Sequence, residues 1–499
     1  MFLEKTKQPL RLFDSEAHGS QLSNEYKGRK IMDMENSNKI SWKQGLVIAL
    51  GVPMLILPSI GYFAGYVGVF AIFIWLISIL QGFMQNIAYG DFALMHPEAR
   101  GLPGYVQTIF KGKHPKDYDM NKFIGGFSAW GYWMAWNPVL AIFSLLIGKY
   151  LHGMIPALNG VSDKTISLVA GAVIFTVLIA INRKGLSGGA AIGNILAIVS
   201  LIPLIILSIV PVLKGQFHIS NLTGSLFPET WSWDGTHILI LLGIMAMAQW
   251  SACAWETAAV YGPDYKNPKK DLPKALFSCG FICLITFLAV QIACTGTLGI
   301  QGILEEPYSP MLLMAKMSFG NAGALITLIM LLAAMVLIIQ TALLGSAKAM
   351  ESMAMEGNLP KILGETNKYG VPVIAMVSIA ILNFALIFVG TPTAIVAGSA
   401  MGYVIANGIT LFAYFKGKKD QKILAPKWWK YIALGCCILN IPLYLAGIFY
   451  INKLDYGLVP ALIGFLLLFI YIPIWLYAKN ENIDDKVIGL GKLGRKYND

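Results

Sequence analysis

Uninterrupted apolar runs about twenty residues long recur from Gln44 to Ala478, and they restrict the fold of this chain more than any other feature. A bilayer core about 30 Å thick takes roughly 20 apolar residues per helix, and about twelve segments here reach that length. The runs lack period-two alternation, which selects helices over barrel strands. With 56% of its 499 residues hydrophobic and only 13% charged, the chain has too little polar surface to form a soluble globule. The expected fold class is an all-α membrane protein with 12 transmembrane helices.

The formal charge of +11 would fit anionic partners if it were evenly spread. It is not: when the proposed loops are sorted by side, all but five of the 38 Lys and Arg residues fall on the side of the N-terminus, the exceptions being Lys149, Lys164, Lys214, Lys316 and Lys453. Basic loops face the cytoplasm, so both termini are expected there, in a multi-pass protein of the cell (plasma) membrane. The basic balance then reports topology and contact with membrane lipids, and no nucleic acid partner is expected. Residues 1–43 read as a cytoplasmic N-terminal tail without a cleaved signal, 44–478 as the membrane domain and 479–499 as a cytoplasmic C-terminal tail. All six cysteines lie in proposed spans, so neither a disulfide framework nor a Cys/His metal site is expected.

Two spans are interrupted. Span 1, about Gln44 to Phe63, is broken by Gly51-Val-Pro-Met54 and again by Pro58. Span 6, about Gly235 to Tyr261, is broken by Ser251-Ala-Cys-Ala254 and followed at once by Trp255 and Glu256. Each opens a set of five spans, residues 44–213 and 235–415, and tandem sets of odd length enter the membrane from opposite sides. The arrangement predicts a 5+5 inverted repeat with two further helices over 428–478. Interrupted spans at matching positions of inverted halves point to a transporter's binding site. Taken singly, the first break also reads as a proline kink and the second as a small-residue packing face. Glu256, an acid deep in an apolar span, reads either as a functional group or as a brace between helices.

Enzyme chemistry is poorly supplied, and the chain is not expected to be an enzyme. The sequence has no G-x-x-x-x-G-K-[ST] phosphate loop, no H-E-x-x-H, no G-x-S-x-G and no dinucleotide fingerprint. A broken helix offers backbone N–H groups at the start of one half and carbonyls at the end of the other, so two facing breaks can hold a zwitterion with few charged side chains. Trp255 and the span 3 aromatics Trp130, Tyr132, Trp133 and Trp136 read as stacking surfaces over such a site or as core.

Four stretches carry a resemblance to a known family. Gly51-Val-Pro-Met-Leu-Ile-Leu-Pro58 resembles a first-helix G-S-G-I-F-x-L-P. His96-Pro-Glu-Ala-Arg-Gly-Leu-Pro-Gly-Tyr105 resembles a P-x-x-G-G-x-Y loop. Trp255-Glu256 with Lys266-Asn-Pro-Lys-Lys-Asp-Leu-Pro-Lys274 is similar to F-E followed by K-N-P-x-R-D-I-P-x-A, and Ala354-Met-Glu-Gly-Asn-Leu-Pro360 to A-x-D-G-x-L-P. They resemble, in the right order, the amino acid, polyamine and organocation transporter family, whose members have the leucine-transporter-type fold.

That resemblance implies a secondary active transporter of amino acids or related amines working by alternating access, by ion-coupled symport or by exchange. A non-transporting sensor of the same fold is the alternative. Carried over by position, Gly51, Val52, Pro53 and Met54 would face the substrate carboxylate, and Ala252, Cys253, Ala254 and Trp255 its amino group. Glu256, Ser200 and Gln340 would belong to gating or coupling. No cofactor is implied beyond a coupling ion, sodium or proton. Two departures matter. Pro53 stands where the motif has its second glycine and has no N–H to donate, and Ser200 stands where some proton-coupled relatives carry a lysine.

Overall fold

A computed structural model of the chain describes residues 39–111, 118–185, 201–417 and 424–484. Among them the backbone is helical between short turns, and its one β feature is a bridge between Ile40 and Tyr265. The helices belong to one unit, Ile40–Asp499. Eight are long and apolar enough to cross a bilayer: Ile60–Met95, Met120–Met154, Asp163–Asn182, Gly235–Asp264, Pro268–Glu305, Pro310–Met355, Pro392–Gly417 and Trp429–Tyr456. Shorter apolar helices cover Trp42–Ile56, Leu201–Leu213 and Val373–Val389. The chain is a multi-pass membrane protein.

The difference from twelve has local causes. Span 1 is cut in two, and its second half runs through a turn at Gly68–Phe70 into span 2. Span 9, expected at about Val371 to Val389, is a helix of 17 residues, Val373–Val389. Span 12, expected at about Leu458 to Ala478, is interrupted at Leu468–Ile470. The start of span 5, with Gly189, Gly193 and Ser200, lies outside the described residues. The stretch His96–Tyr105, expected as a loop, turns at Pro97–Ala99 and then forms a buried helix, Gly101–Ile109.

Parts of the surface are as apolar as a core. Val169, Val173 and Val177 recur every fourth residue of the Asp163–Asn182 helix and are 60%, 58% and 49% exposed, an apolar stripe that water would not tolerate. Inside the bundle, small residues bring backbones together. A Cβ on Gly131 would lie 3.0 Å from the Gly402 carbonyl oxygen, and one on Gly243 would lie 2.6 Å from that of Gly447. Gly101 has φ 60°, and a Cβ there would meet the Val260 nitrogen at 2.7 Å, so the short helix can lie against span 6 only with glycine at this point. The Gly235–Ala252 helix starts at Asp234, which accepts the His237 N–H at 2.9 Å. That backbone bond, with the Ser232 hydroxyl, holds the Asp234 carboxyl below the usual carboxylate range.

Helix ends and kinks are satisfied by side chains. Pro138 has no N–H and breaks the ladder between Met120–Trp136 and Val139–Met154. The buried Asn383 repairs the gap: its Oδ1 accepts the Ala141 N–H at 3.0 Å, and its Nδ2 donates to Asn137 Oδ1 at 3.0 Å. Asn383→Leu strands both partners in the core and should destabilise the protein by about 1–3 kcal/mol. Thermal unfolding of the purified protein in detergent reads this as a lower midpoint, whereas Ser378→Ala on the exposed face of the same helix should leave it unchanged.

Candidate functional site

Both predicted breaks are present, and both are tightened turns rather than extended chain. After the Trp42–Ala49 helix the backbone passes into a 3₁₀ turn, Val52–Ile56, with Pro53 near its start, and returns to α-helix at Ile60. The Met54 N–H bonds the Gly51 carbonyl at 3.0 Å, and the Leu57 N–H bonds that of Met54 at 3.0 Å. Span 6 is α-helical to Ala252, and from Ala254 to Asp264 it is a distorted 3₁₀ segment. Shifting from i→i+4 to i→i+3 bonding changes the register by one residue and frees backbone groups at the junction.

The structure brings the breaks together. Ser59, just past the first, and Ser251, just before the second, place their hydroxyls 3.4 Å apart, and both are buried. Val52, Met54, Ala252, Cys253, Ala254 and Trp255 are all within 2% of full burial. A Cβ on Gly51 would lie 2.8 Å from Thr341 Oγ1 and 2.9 Å from the Ile338 Cα, so the first break presses on the Pro310–Met355 helix next to the buried Gln340.

Glu256 opens the distorted segment and is fully buried. Its Oε2 accepts the Tyr403 hydroxyl at 3.2 Å. Its Oε1 accepts no close hydrogen bond, and the hydroxyls of Tyr132 and Thr257 and the indole N–H of Trp136 gather beside it as a loosely bonded polar group. A buried acid with one open oxygen, ringed by aromatic rings and hydroxyls and without an ion-paired cation among the described residues, can accept an ammonium group or hold a proton.

Two residues of the second break face elsewhere. Cys253 Sγ donates to the Ser78 carbonyl at 3.0 Å, beside Gly82. Trp255 is wedged between Gly82 and Gly280, its ring 5.3 Å from that of Phe83. Both side chains point at neighbouring helices, so what they offer at the break is backbone. Trp130 and Trp133 stack on each other at 4.6 Å, and Trp130 also stacks on Tyr471, which makes them core. Asp91 is a brace: it accepts from the Tyr414 hydroxyl at 2.6 Å and from the Leu424 and Ala425 N–H groups at 2.6 and 3.1 Å.

At one end of the two breaks lies a charged cluster that motif reading missed. Arg100 pairs with Asp264 at 2.7 Å and reaches Glu351 at 3.8 Å, and Lys348 pairs with Glu351 at 2.8 Å. The Ile40 N–H bonds the Asp264 carbonyl and the Lys266 N–H bonds that of Ile40, each at 2.8 Å. The approach to the first break, the end of the second and the Pro310–Met355 helix are thereby tied together. Lys348 and Glu351, opposite charges three apart in an apolar helix, were the available signal.

Paired broken helices, in contact inside a multi-pass bundle and flanked by a buried acid, define a membrane permease. A family model described as Amino acid permease matches residues 40–488, and the chain belongs to that family, within the amino acid, polyamine and organocation superfamily. An uncharacterized amino acid permease of Bacillus subtilis is 23% identical over 82% of this chain and 91% of its own length. An arginine/ornithine antiporter of Lactococcus lactis is 22% identical over 60% of this chain and 61% of its own length. A polyamine transporter of Oryza sativa subsp. japonica is 25% identical over 49% of this chain and 44% of its own length.

The orientation of Cys253 makes a prediction about labelling. A small polar thiol reagent should modify it slowly, and substrate should not change the rate. Mass spectrometry of the labelled protein checks this; rapid modification slowed by substrate would put the thiol in the pathway.

Proposed function

We propose that this protein is a secondary active transporter of amino acids or related amines that works by alternating access, with substrate held between the breaks of spans 1 and 6. The observation that carries the reading is the contact of two interrupted helices at Ser59 and Ser251 with a buried, half-satisfied acid one turn away. On this reading the twelve spans form two inverted sets of five plus two more, and both termini lie in the cytoplasm. The cluster of Arg100, Asp264, Lys348 and Glu351 then closes the cytoplasmic end, and its opening releases substrate inward.

The site's chemistry favours a substrate with a basic nitrogen. Pro53 removes one donor from the carboxylate side, whereas Glu256 Oε1 with Tyr132 and Tyr403 supplies acceptors and aromatic faces for an ammonium group. Relatives named for arginine, ornithine, lysine and polyamines agree with an amine-bearing cargo. Glu256 is the proposed coupling group, with Gln340 beside the first break as a gating residue. The coupling ion, sodium or proton, is chosen by experiment.

Purified protein in liposomes, offered labelled amino acids and amines under imposed sodium or proton gradients, should show saturable uptake or exchange of at least one amine-bearing compound. Binding without flux across the whole panel would replace the transporter with a sensor. Glu256→Gln keeps the shape and the Tyr403 contact but cannot lose a proton, so it should abolish any pH dependence of uptake while leaving the folded protein intact. An unchanged pH profile in this variant would reduce Glu256 to a brace.

A further inference from the structure

Behind the second break, one face of the Ala71–Met95 helix carries amides where a membrane interior ordinarily has apolar side chains. Gln81, Gln85, Asn86 and Tyr89 are each 6% exposed or less. Facing them are Tyr403 and Asn407 of the Pro392–Gly417 helix, and Asn440 and Tyr444 of a π-helical turn, Leu439–Tyr444. Two bonds cross the seam: the Tyr444 hydroxyl donates to Gln81 Oε1 and the Tyr89 hydroxyl donates to Asn407 Oδ1, both at 2.7 Å. Beyond these, Gln81 Nε2, both amide atoms of Gln85, Asn86 Oδ1, Asn407 Nδ2 and Asn440 Oδ1 make no close hydrogen bond in the protein, Asn407 only approaching the Tyr403 hydroxyl.

A dry seam cannot carry that load, because six buried unsatisfied atoms would cost as much as a domain's whole net stability. The atoms are balanced: three amide nitrogens donate, three amide oxygens accept, and none is charged. A bare cation would be matched by acceptors alone and an anion by donors alone, whereas water needs both. The π turn adds to the opening, since a widened turn at Pro442 displaces its own backbone bonds, and such turns gather at functional sites.

The seam leads to Glu256. Tyr403, whose hydroxyl donates to Glu256 Oε2, lies one helical turn before Asn407 on the same face. Seven residues beyond Asn407, Tyr414 meets Asp91 at the loop that holds Leu424 and Ala425, so the polar faces of both helices continue to the bundle end. The titratable groups facing Glu256 are Tyr403, Tyr89, Tyr132 and Cys283 from neighbouring helices and Cys253 from its own segment, and none is a cation.

We propose that this seam holds a file of water molecules that carries protons between the loop end at Asp91 and Glu256, separate from the substrate path between the breaks. The proton role rests on Glu256 being the coupling acid; the hydration does not. Radiolytic hydroxyl-radical footprinting of the full-length protein in lipid nanodiscs tests the water directly. Tyr89 and Tyr444 should be oxidised several-fold faster than Tyr265, which is equally buried but lies outside the seam, with its hydroxyl on the Ala258 carbonyl. Gln85→Leu should slow oxidation of Tyr89 towards that of Tyr265 and flatten the pH dependence of uptake, while substrate-for-substrate exchange continues. Gln85→Met serves if the Leu variant does not fold. Equal oxidation of all three tyrosines in the unaltered protein overturns the proposal. Rapid oxidation with an unchanged pH profile in the Gln85 variants overturns the proton route. Flux without any pH dependence in the unaltered protein does the same and leaves the transporter intact, whereas no flux under any gradient overturns both.

Discussion

Breaking a helix inside a bilayer strands backbone N–H and C=O groups where lipid offers them nothing, and this structure is arranged around two such breaks. Each is tightened into a 3₁₀ turn, which keeps most of its bonds local, and each is buried against the other at Ser59 and Ser251. Neither would be tolerated facing lipid. Enclosed by neighbouring helices, the same defects become a small polar volume at the centre of an apolar body, with Glu256 at its edge.

The surrounding bundle is built to keep that volume closed and shaped. Glycine pairs such as Gly131 with Gly402 and Gly243 with Gly447 bring helices to backbone contact. Asn383 repairs the proline kink that bends the span 3 aromatics past the site, leaving Tyr132 and Trp136 near Glu256 and sending Trp130 and Trp133 outward to stack on each other. Charge is concentrated at one end of the two breaks. Arg100, Asp264, Lys348 and Glu351 are all largely buried, and removing one member of such a set typically costs about 3–5 kcal/mol; on the transport reading proposed above, this cluster is the latch.

The breaks were legible in the sequence because proline and small residues interrupt otherwise uniform apolar runs, and Glu256 was legible because an acid deep in an apolar span is costly, whether it works or braces. Orientation was not. Cys253 and Trp255 sit in the second break by sequence, yet only packing decides that their side chains turn to Ser78, Gly82 and Gly280. The partnership of Tyr403 with Glu256 spans 147 residues, and no spacing rule reaches that far. The charged cluster is hidden in the sequence for a different reason: Arg100 belongs to a loop motif, and the i, i+3 pair of Lys348 and Glu351 lies in a helix whose apolar length masks it. The unpaired amides around Gln85 were invisible as a group because they come from three helices.

If the two breaks form one binding site, backbone hydrogen exchange reads it directly. With a transported amine added, peptides covering Gly51–Met54 and Ala252–Trp255 should both exchange more slowly, while peptides from the lipid-facing Asp163–Asn182 helix stay unchanged. Protection confined to one break, or found only away from both, would mean that they do not form one site.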